Sequence, residues 1–352
     1  MAINEAKLNE FMGKAVGDMG AAMSAALVVI GDRLGIYKAM AALGPATTAE
    51  IGKKTGIAER YVREWTLNQA AGGYVSYDAK GGKYFLTEEQ AFALANDESP
   101  AALGGAFEII GSMHRDTAKV QGAYASGKGI AWGDHDACLF CGTEKFFAAS
   151  YRGNLVGSWI PALEGVKAKL ERGIAVADVG CGHGASTIIM AKAFPNSKFT
   201  GFDFHGASIE CARAKVSEAG LKNVTFEVAE ATGFALAPGG YGLVTCFDCL
   251  HDMGDPVGCG KRVRQSLAPG GTWMVVEPNA ADTVEGNLNP VSRVFSAASA
   301  MICVPASVAF DGPALGACAG PAKLTETIKI AGFASVRVAT TTPFNLILEA
   351  RA

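Results

Sequence analysis

The 352 residues carry a formal net charge of −3 at pH 7, and 49% of them are hydrophobic against 18% charged. A chain of this length buries a sizeable core and has room for two domains, and without an excess of Lys and Arg it is not built as a whole to bind phosphate backbones. The nine cysteines are odd in number and sit mainly in apolar segments, which suits a reducing compartment better than a disulfide framework.

From the first residue onward, Met1-Ala2-Ile3-Asn4-Glu5 presents no basic stretch ahead of an apolar one, so no signal peptide is expected. The apolar run over residues 21–30 stops at Gly31-Asp32-Arg33, too short to span a bilayer, so a cytoplasmic protein without a membrane span is expected. Residues 4–43 have helical spacing, with Phe11, Met12, Met19, Met23, Leu27, Ile30, Leu34 and Met40 on a stripe suited to core or subunit packing. Thr47-Thr48-Ala49-Glu50 is a capping box that opens a short helix. A second helix over 59–71 ends at Gly72-Gly73, and strand-like segments at 74–77 and 84–86 bracket a turn. Helix, turn, helix and hairpin make a winged helix. A DNA-reading version would use Arg60 and Arg63 on the second helix and Lys80 and Lys83 on the wing. Between positions 47 and 84, however, six basic residues face four acidic ones, an excess of only two, so a nucleic-acid partner is not expected.

Residues 100–165 join two halves, with helical segments near 103–120 and 143–163 and a loop over 127–136. Long connections of this kind often form lids or pocket walls, which makes Trp132, His135, Phe146, Phe147, Tyr151 and Trp159 candidates for lining an acceptor or covering a bound ligand. His114 and His135 also read as ordinary solvated polar residues. Two cysteine pairs, Cys138/Cys141 and Cys246/Cys249, have C-x-x-C spacing, but no histidine spacing supports zinc. Small core hydrophobes are the expectation, and no metal.

The chain is organised around Val176-Ala177-Asp178-Val179-Gly180-Cys181-Gly182-His183-Gly184, an apolar strand that runs into spaced glycines and then a helix at Ala185-Ser186-Thr187. Glycine lets backbone approach a ligand, and the helix start offers free N–H groups to an anionic end. Gly180, Gly182 and Ala185 also satisfy the dinucleotide fingerprint. The strand 198–202 ends in Asp203, about twenty residues past the glycines, where a carboxylate suits ribose hydroxyls of either NAD or S-adenosylmethionine. Asp178 extends the loop pattern to D-x-G-x-G-x-G, and segments 335–339 and 345–349 flank the turn Thr342-Pro343-Phe344 as a terminal hairpin. Residues 241–248 read as another strand, and Leu267-Ala268-Pro269-Gly270-Gly271 turns into a strand that ends at Glu277-Pro278.

These marks, in this order, resemble the class I S-adenosylmethionine-dependent methyltransferases. The whole architecture resembles the bacterial small-molecule O-methyltransferases, whose N-terminal winged helix mediates dimerisation. The resemblance implies an α/β fold: a Rossmann-like seven-stranded sheet with a terminal antiparallel hairpin, behind a mainly α winged-helix domain. The expected division is 1–100 for the dimerising part, 101–165 for a linker and lid, and 166–352 for the part that binds S-adenosyl-L-methionine. It implies that Asp178, Gly180, Cys181, Gly182 and Gly184 form the loop under the methionyl end, that Asp203 takes the ribose, and that Phe204, Glu230 and Ala231 lie near the adenine, with Phe247 and Asp248 as the floor.

A methyl group on a sulfonium already has a good leaving group, so the protein supplies alignment and, for a protonated acceptor, a base. His251 follows a strand end, where ligands sit in such sheets, and imidazole titrates in the useful range. Asp248-Cys249-Leu250-His251-Asp252-Met253-Gly254-Asp255 resembles the family's L-H-D-W-x-D motif, with Met253 in place of Trp. The resemblance makes His251 the base and Glu277 its orienting partner. A Gly-, Ala- and Ser-rich insertion between Pro278 and Lys323, with Phe295 and Met301, is an expected wall for an apolar or aromatic acceptor. Methyl transfer to carbon, nitrogen, sulfur or arsenic, and a DNA-binding regulator that senses the cofactor, are the alternative readings.

Overall fold

The structure is a computed structural model and describes residues 3–352, so Met1 and Ala2 of the signal-peptide reading lie outside the described residues. It divides into two compact units. One runs to His114 and takes in Cys141–Ala149; the other comprises Arg115–Phe140 and Ser150–Ala352. Residues 101–165 are thus shared between the units.

In the first unit, α1 (Glu5–Arg33) and α2 (Ile36–Leu43) are separated at Leu34-Gly35, where Gly35 takes a left-handed conformation. Then come α3 (Thr48–Thr55) and α4 (Glu59–Ala71), followed by the wing strands β1 (Ser76–Asp78) and β2 (Lys83–Phe85), paired antiparallel. The capping box at the start of α3 is complete: the Glu50 N–H donates to Thr47 Oγ1 at 3.3 Å and the Thr47 N–H to Glu50 Oε2 at 2.7 Å. Val28, Tyr37, Met40, Ile51, Val62 and Trp65 form the core of this unit. Tyr37 donates to Gln69 Oε1 at 2.6 Å, and the Trp65 indole donates to the Leu27 carbonyl at 2.8 Å.

Met40 is fully buried, but Phe11, Met12, Met19 and Met23 are exposed, so the first half of the stripe does not pack into this chain's core. Glu5–Arg33 and Pro290–Val308 are long and apolar enough by length and composition to cross a membrane, a test that the core helices of soluble proteins also pass. The two arginines suggested for DNA reading are engaged along their own helix, Arg60 with Glu64 and Arg63 with Glu59.

The second unit is built on a seven-stranded sheet: β3 (Ala175–Val179), β4 (Lys198–Asp203), β5 (Val224–Val228), β6 (Tyr241–Phe247), β7 (Leu267–Pro278), β8 (Ser335–Thr341) and β9 (Asn345–Arg351). Its order is β5-β4-β3-β6-β7-β9-β8, with five parallel strands and the terminal hairpin antiparallel. The chain steps outward from β3 to β5, then crosses to β6. The crevice between the carboxyl ends of β3 and β6 is therefore the point where the winding reverses and where ligands bind in open parallel sheets. Valine-, leucine- and aromatic-rich strands buried on both faces fill the core, among them Val176, Leu243, Val244, Trp273 and Val275. The last strand is buried along all but its final residue and runs between β7 and the edge strand β8.

Candidate active site

The glycine loop lies on one side of that crevice. The Gly180 and Cys181 N–H groups donate to the Phe202 carbonyl at 2.8 and 3.0 Å, which folds the loop back over the end of β4. Gly184, at φ +78°, starts the helix Ala185–Ala193, and a Cβ there would meet the Phe226 ring at 2.4 Å, so both conformation and space demand glycine. At Gly182 a Cβ would meet nothing within 4 Å, so the loop is open on that side.

Two carboxylates hold this loop. Asp178 is fully buried; its Oδ2 accepts from Ser186 Oγ at 2.7 Å and Thr187 Oγ1 at 2.5 Å, and its Oδ1 from Thr245 Oγ1 at 2.9 Å. Burial pushes its carboxyl up to about 6, against the pull of the three hydroxyls. Both oxygens are spent inside the protein, so Asp178 ties β3 to the helix and to β6. Asp203 accepts from the Gly182 N–H at 2.8 Å and the His205 N–H at 2.9 Å, and burial raises its pKa against those two bonds. Beside it Phe204 is exposed, with its ring 6.1 Å from Phe310. Glu230 is exposed and Ala231 half-buried in the loop after β5. Trp132 stacks on Phe140 at 5.6 Å and Phe140 on His205 at 5.0 Å, which brings the 127–136 loop next to the Asp203 turn. Neither Phe140 nor His205 stood out in the sequence.

The other side begins where β6 ends. Phe247 is buried, with the Tyr151 ring 5.1 Å away, and Asp248 takes φ +52°, a left-handed conformation that costs a non-glycine residue energy and clusters at functional sites. Its carboxylate receives the Tyr151 hydroxyl at 3.2 Å and lies 3.5 Å from Asn345 Nδ2. Burial, and then Glu277, raise its pKa well above the carboxylate range. Trp159 is fully buried with its ring 6.1 Å from Tyr151, and its indole N–H has no partner among the described residues.

His251 sits in the single helical turn Leu250–Asp252, 4% exposed, with Nδ1 hydrogen-bonded to Glu277 Oε2. Glu277 is 1% exposed, and its other oxygen accepts the Leu250 N–H at 2.9 Å, so the backbone fixes the carboxylate that fixes the ring. Burial works against a charged imidazole, yet Glu277 and the neighbouring Cys303 carry His251 well above the usual histidine range. Asp252 next to it is pushed up to about 7 by burial.

The remaining expected residues spread further. His135 is buried, not solvated: Asp116 Oδ2 lies 3.0 Å from its Nδ1, while Nε2 has no partner among the described residues. Phe295 is buried beside Cys303 and Ala317, and Met301 is half-buried two residues before Cys303. Phe147 belongs to the first unit, against Phe146 at 5.1 Å. Cys246 is buried and accepts the Trp273 indole N–H at 3.4 Å, while the Cys249 thiol donates to the Val179 carbonyl at 3.4 Å. Among the described residues no group of three His, Cys, Asp or Glu side chains is arranged to hold a metal ion.

Residues 170–332 match a methyltransferase domain family, and residues 22–96 match the Rv2258c-like winged HTH domain. The 2-heptyl-1-hydroxyquinolin-4(1H)-one methyltransferase of Mycobacteroides abscessus is 31% identical over 105 residues, 29% of this chain and 44% of that protein. The chain spans less than half the length of the curated relatives it matches. Human N-acetylserotonin methyltransferase, solved in complex with SAM, superposes with a TM-score of 0.71 at 17% identity, over 100% of this chain and 99% of that one. The mitomycin 7-O-methyltransferase MmcR superposes with a TM-score of 0.69 at 16% identity, over 99% and 100%. This chain carries a methyltransferase domain behind an Rv2258c-like winged helix-turn-helix domain.

Proposed function

We propose that the chain transfers a methyl group from S-adenosyl-L-methionine to oxygen on a small aromatic or apolar molecule. The observation that carries the reading is the buried His251–Glu277 pair, set one strand over from the glycine loop at the crevice between β3 and β6. When bound, the cofactor supplies an electrophilic methyl on a sulfonium. The residues fit such a group: Gly182 leaves open space where a Cβ would intrude, and Asp203 keeps acceptor capacity for hydroxyls beyond the two N–H groups it receives. Phe204, Glu230 and Ala231 lie on the loops after β4 and β5, on the side expected for the adenine. Asp178 acts through the loop it ties down.

On the acceptor side, Glu277 holds the Nδ1 proton and so presents Nε2 as the lone pair that takes a hydroxyl proton. A phenol or N-hydroxy heteroaromatic, the kind of acceptor named for the mycobacterial relative, loses that proton readily. Tyr151, Trp159 and Phe247 give an apolar wall beside Asp248, while Phe295 and Met301 come from the insertion and Trp132 and His135 from the 127–136 loop. The exposed apolar side chains Phe11, Met12, Met19 and Met23 suit a face of α1 that a second copy covers in a homodimer.

Titration calorimetry with S-adenosylmethionine and S-adenosylhomocysteine tests the first step, and binding of both is the expected result. NAD binding in their place overturns the reading.

A further inference from the structure

The insertion runs through Pro290–Ala298, a π-helical turn at Ser299–Cys303, and Val304–Val308. It then enters a tight, strained turn. Asp311 takes φ +54° and Ala314 φ +49°, left-handed conformations that cost a residue with a Cβ energy and that cluster at ligand clamps. Aspartate can offset that cost with a local side-chain hydrogen bond; alanine cannot. Ser307 holds the turn together: its carbonyl accepts the Phe310 and Gly312 N–H groups at 3.1 and 2.9 Å, and its Oγ accepts the Ala314 N–H at 3.1 Å. The same hydroxyl donates to the Met253 carbonyl at 2.8 Å, which fastens the turn to the segment just past His251. Two glycines allow so close an approach. A Cβ on Gly312 would meet Gly254 Cα at 2.7 Å, and a Cβ on Gly254 would meet Phe310 Cβ at 2.5 Å.

All of this bracing sets an aromatic ring in water. Phe310 is 53% exposed, and its ring packs near-perpendicular, at 79° and 6.1 Å, on that of Phe204, which is 44% exposed. Phe204 follows Asp203, whose carboxylate accepts the Gly182 N–H at 2.8 Å, and beside it the His205, Phe140 and Trp132 rings stack in succession. The Phe204–Phe310 pair therefore bridges the mouth of the crevice from the glycine-loop side to the His251 side. In an edge-to-face pair the ring that presents its edge keeps both faces free, so a flat ligand can lie against it without parting the two.

We propose that Phe310 is a cofactor-binding residue supplied by the insertion, its ring packing with Phe204 against the adenine base of S-adenosylmethionine. The proposal rests on the reading of the crevice as the S-adenosylmethionine site and adds to it a residue from outside the glycine-loop half. Asp203, with acceptor capacity left for the ribose hydroxyls, puts the base on its own side, where Phe204 stands. Phe310 reaches that side from across the crevice. A purine is flat, and stacking it on an aromatic ring requires no particular hydrogen-bond pattern. Binding the base covers two rings that the free chain leaves in water, and it gives the insertion a contact with the cofactor that is independent of the acceptor.

Titration calorimetry on the full chain compares S-adenosylhomocysteine with S-ribosylhomocysteine, the same molecule without its base. Phe310→Ala is expected to weaken S-adenosylhomocysteine by ~10-fold or more, the worth of one base–ring stack, and to leave S-ribosylhomocysteine at its wild-type affinity. Phe310→Leu, which keeps apolar bulk without a π face, is expected to lose affinity as well, and Phe310→Trp to restore it. Because the ring is half-exposed, the urea midpoint is expected to hold in all three variants. Wild-type affinity for S-adenosylhomocysteine in Phe310→Ala overturns the proposal. So does equal weakening of both ligands, which makes the turn and not the ring the cause. A wild-type chain that binds neither ligand removes the methyl-transfer reading together with this one, whereas S-adenosylhomocysteine binding that ignores Phe310 removes this one alone.

Discussion

The two sides of the crevice are built differently. On the β3–β4 side the polar groups come from one continuous stretch and the two strands that flank β3, and they satisfy one another: Asp178 spends both oxygens on hydroxyls, and Asp203 receives two backbone N–H groups. On the β6–β7 side the polar groups come from three distant segments, at Tyr151, at Asp248 to Asp252 and at Glu277, and burial together with neighbouring charges shifts the protonation of Tyr151, Asp248, His251 and Asp252. The first side is a fixed cradle whose failure shows as lost affinity or lost fold. The second is a set of coupled proton sites, and its failure shows in the pH dependence of turnover.

The contrast is sharpest at His251. His251→Ala is expected to lower turnover on a phenolic acceptor by ~10²–10⁴ at neutral pH, with S-adenosylhomocysteine affinity within a few-fold of wild type. Because Glu277 raises the folded-state pKa of His251, the neutral, proton-accepting form gains ground as pH rises, and wild-type kcat climbs through a value above the usual histidine range. Glu277→Gln removes the raising charge and moves that limb to lower pH. A profile that stays put in Glu277→Gln would break the comparison.

Next in size is Asp178→Ala, which strands the Ser186, Thr187 and Thr245 hydroxyls. Urea unfolding should show a loss of about 2–4 kcal/mol. The pKa of about 6 in the folded state lies above the unfolded value, so the Asp178 contribution is fully present below the ordinary aspartate range and is lost as pH rises through about 6. Asp178→Asn should flatten stability across that window. The smallest effect is expected for Asp203→Ala: a ~10–100-fold loss in S-adenosylhomocysteine affinity by calorimetry, the worth of one or two charge-assisted hydrogen bonds, with the acceptor KM little changed.

How legible each side was follows from the same difference. The loop 176–184 and Asp203 announce themselves because glycine spacing and strand length are local, and so do the terminal hairpin and the winged helix. His251 and Glu277 could be paired only by resemblance, since 26 positions separate them and nothing in either neighbourhood reports the other. Cys303 went unremarked, although Phe295 and Met301 marked its surroundings. A single thiol in an Ala- and Ser-rich helix has the signature of core packing, and Cys303 is indeed buried against Phe295 and Ala317. The α1 stripe is legible only in part for a related reason: periodicity says which residues share a face and is silent on whether the core or a subunit covers it.

A π turn holds one more residue than the ordinary turn it replaces. Deleting one residue between Ser299 and Cys303 would swing the preceding stretch, with Phe295 on it, by about 100° around the helix axis while the sheet beneath stayed as it is. If Phe295 lines the acceptor as proposed, the gain or loss of a single codon there changes which compounds fit while leaving the His251–Glu277 pair in place.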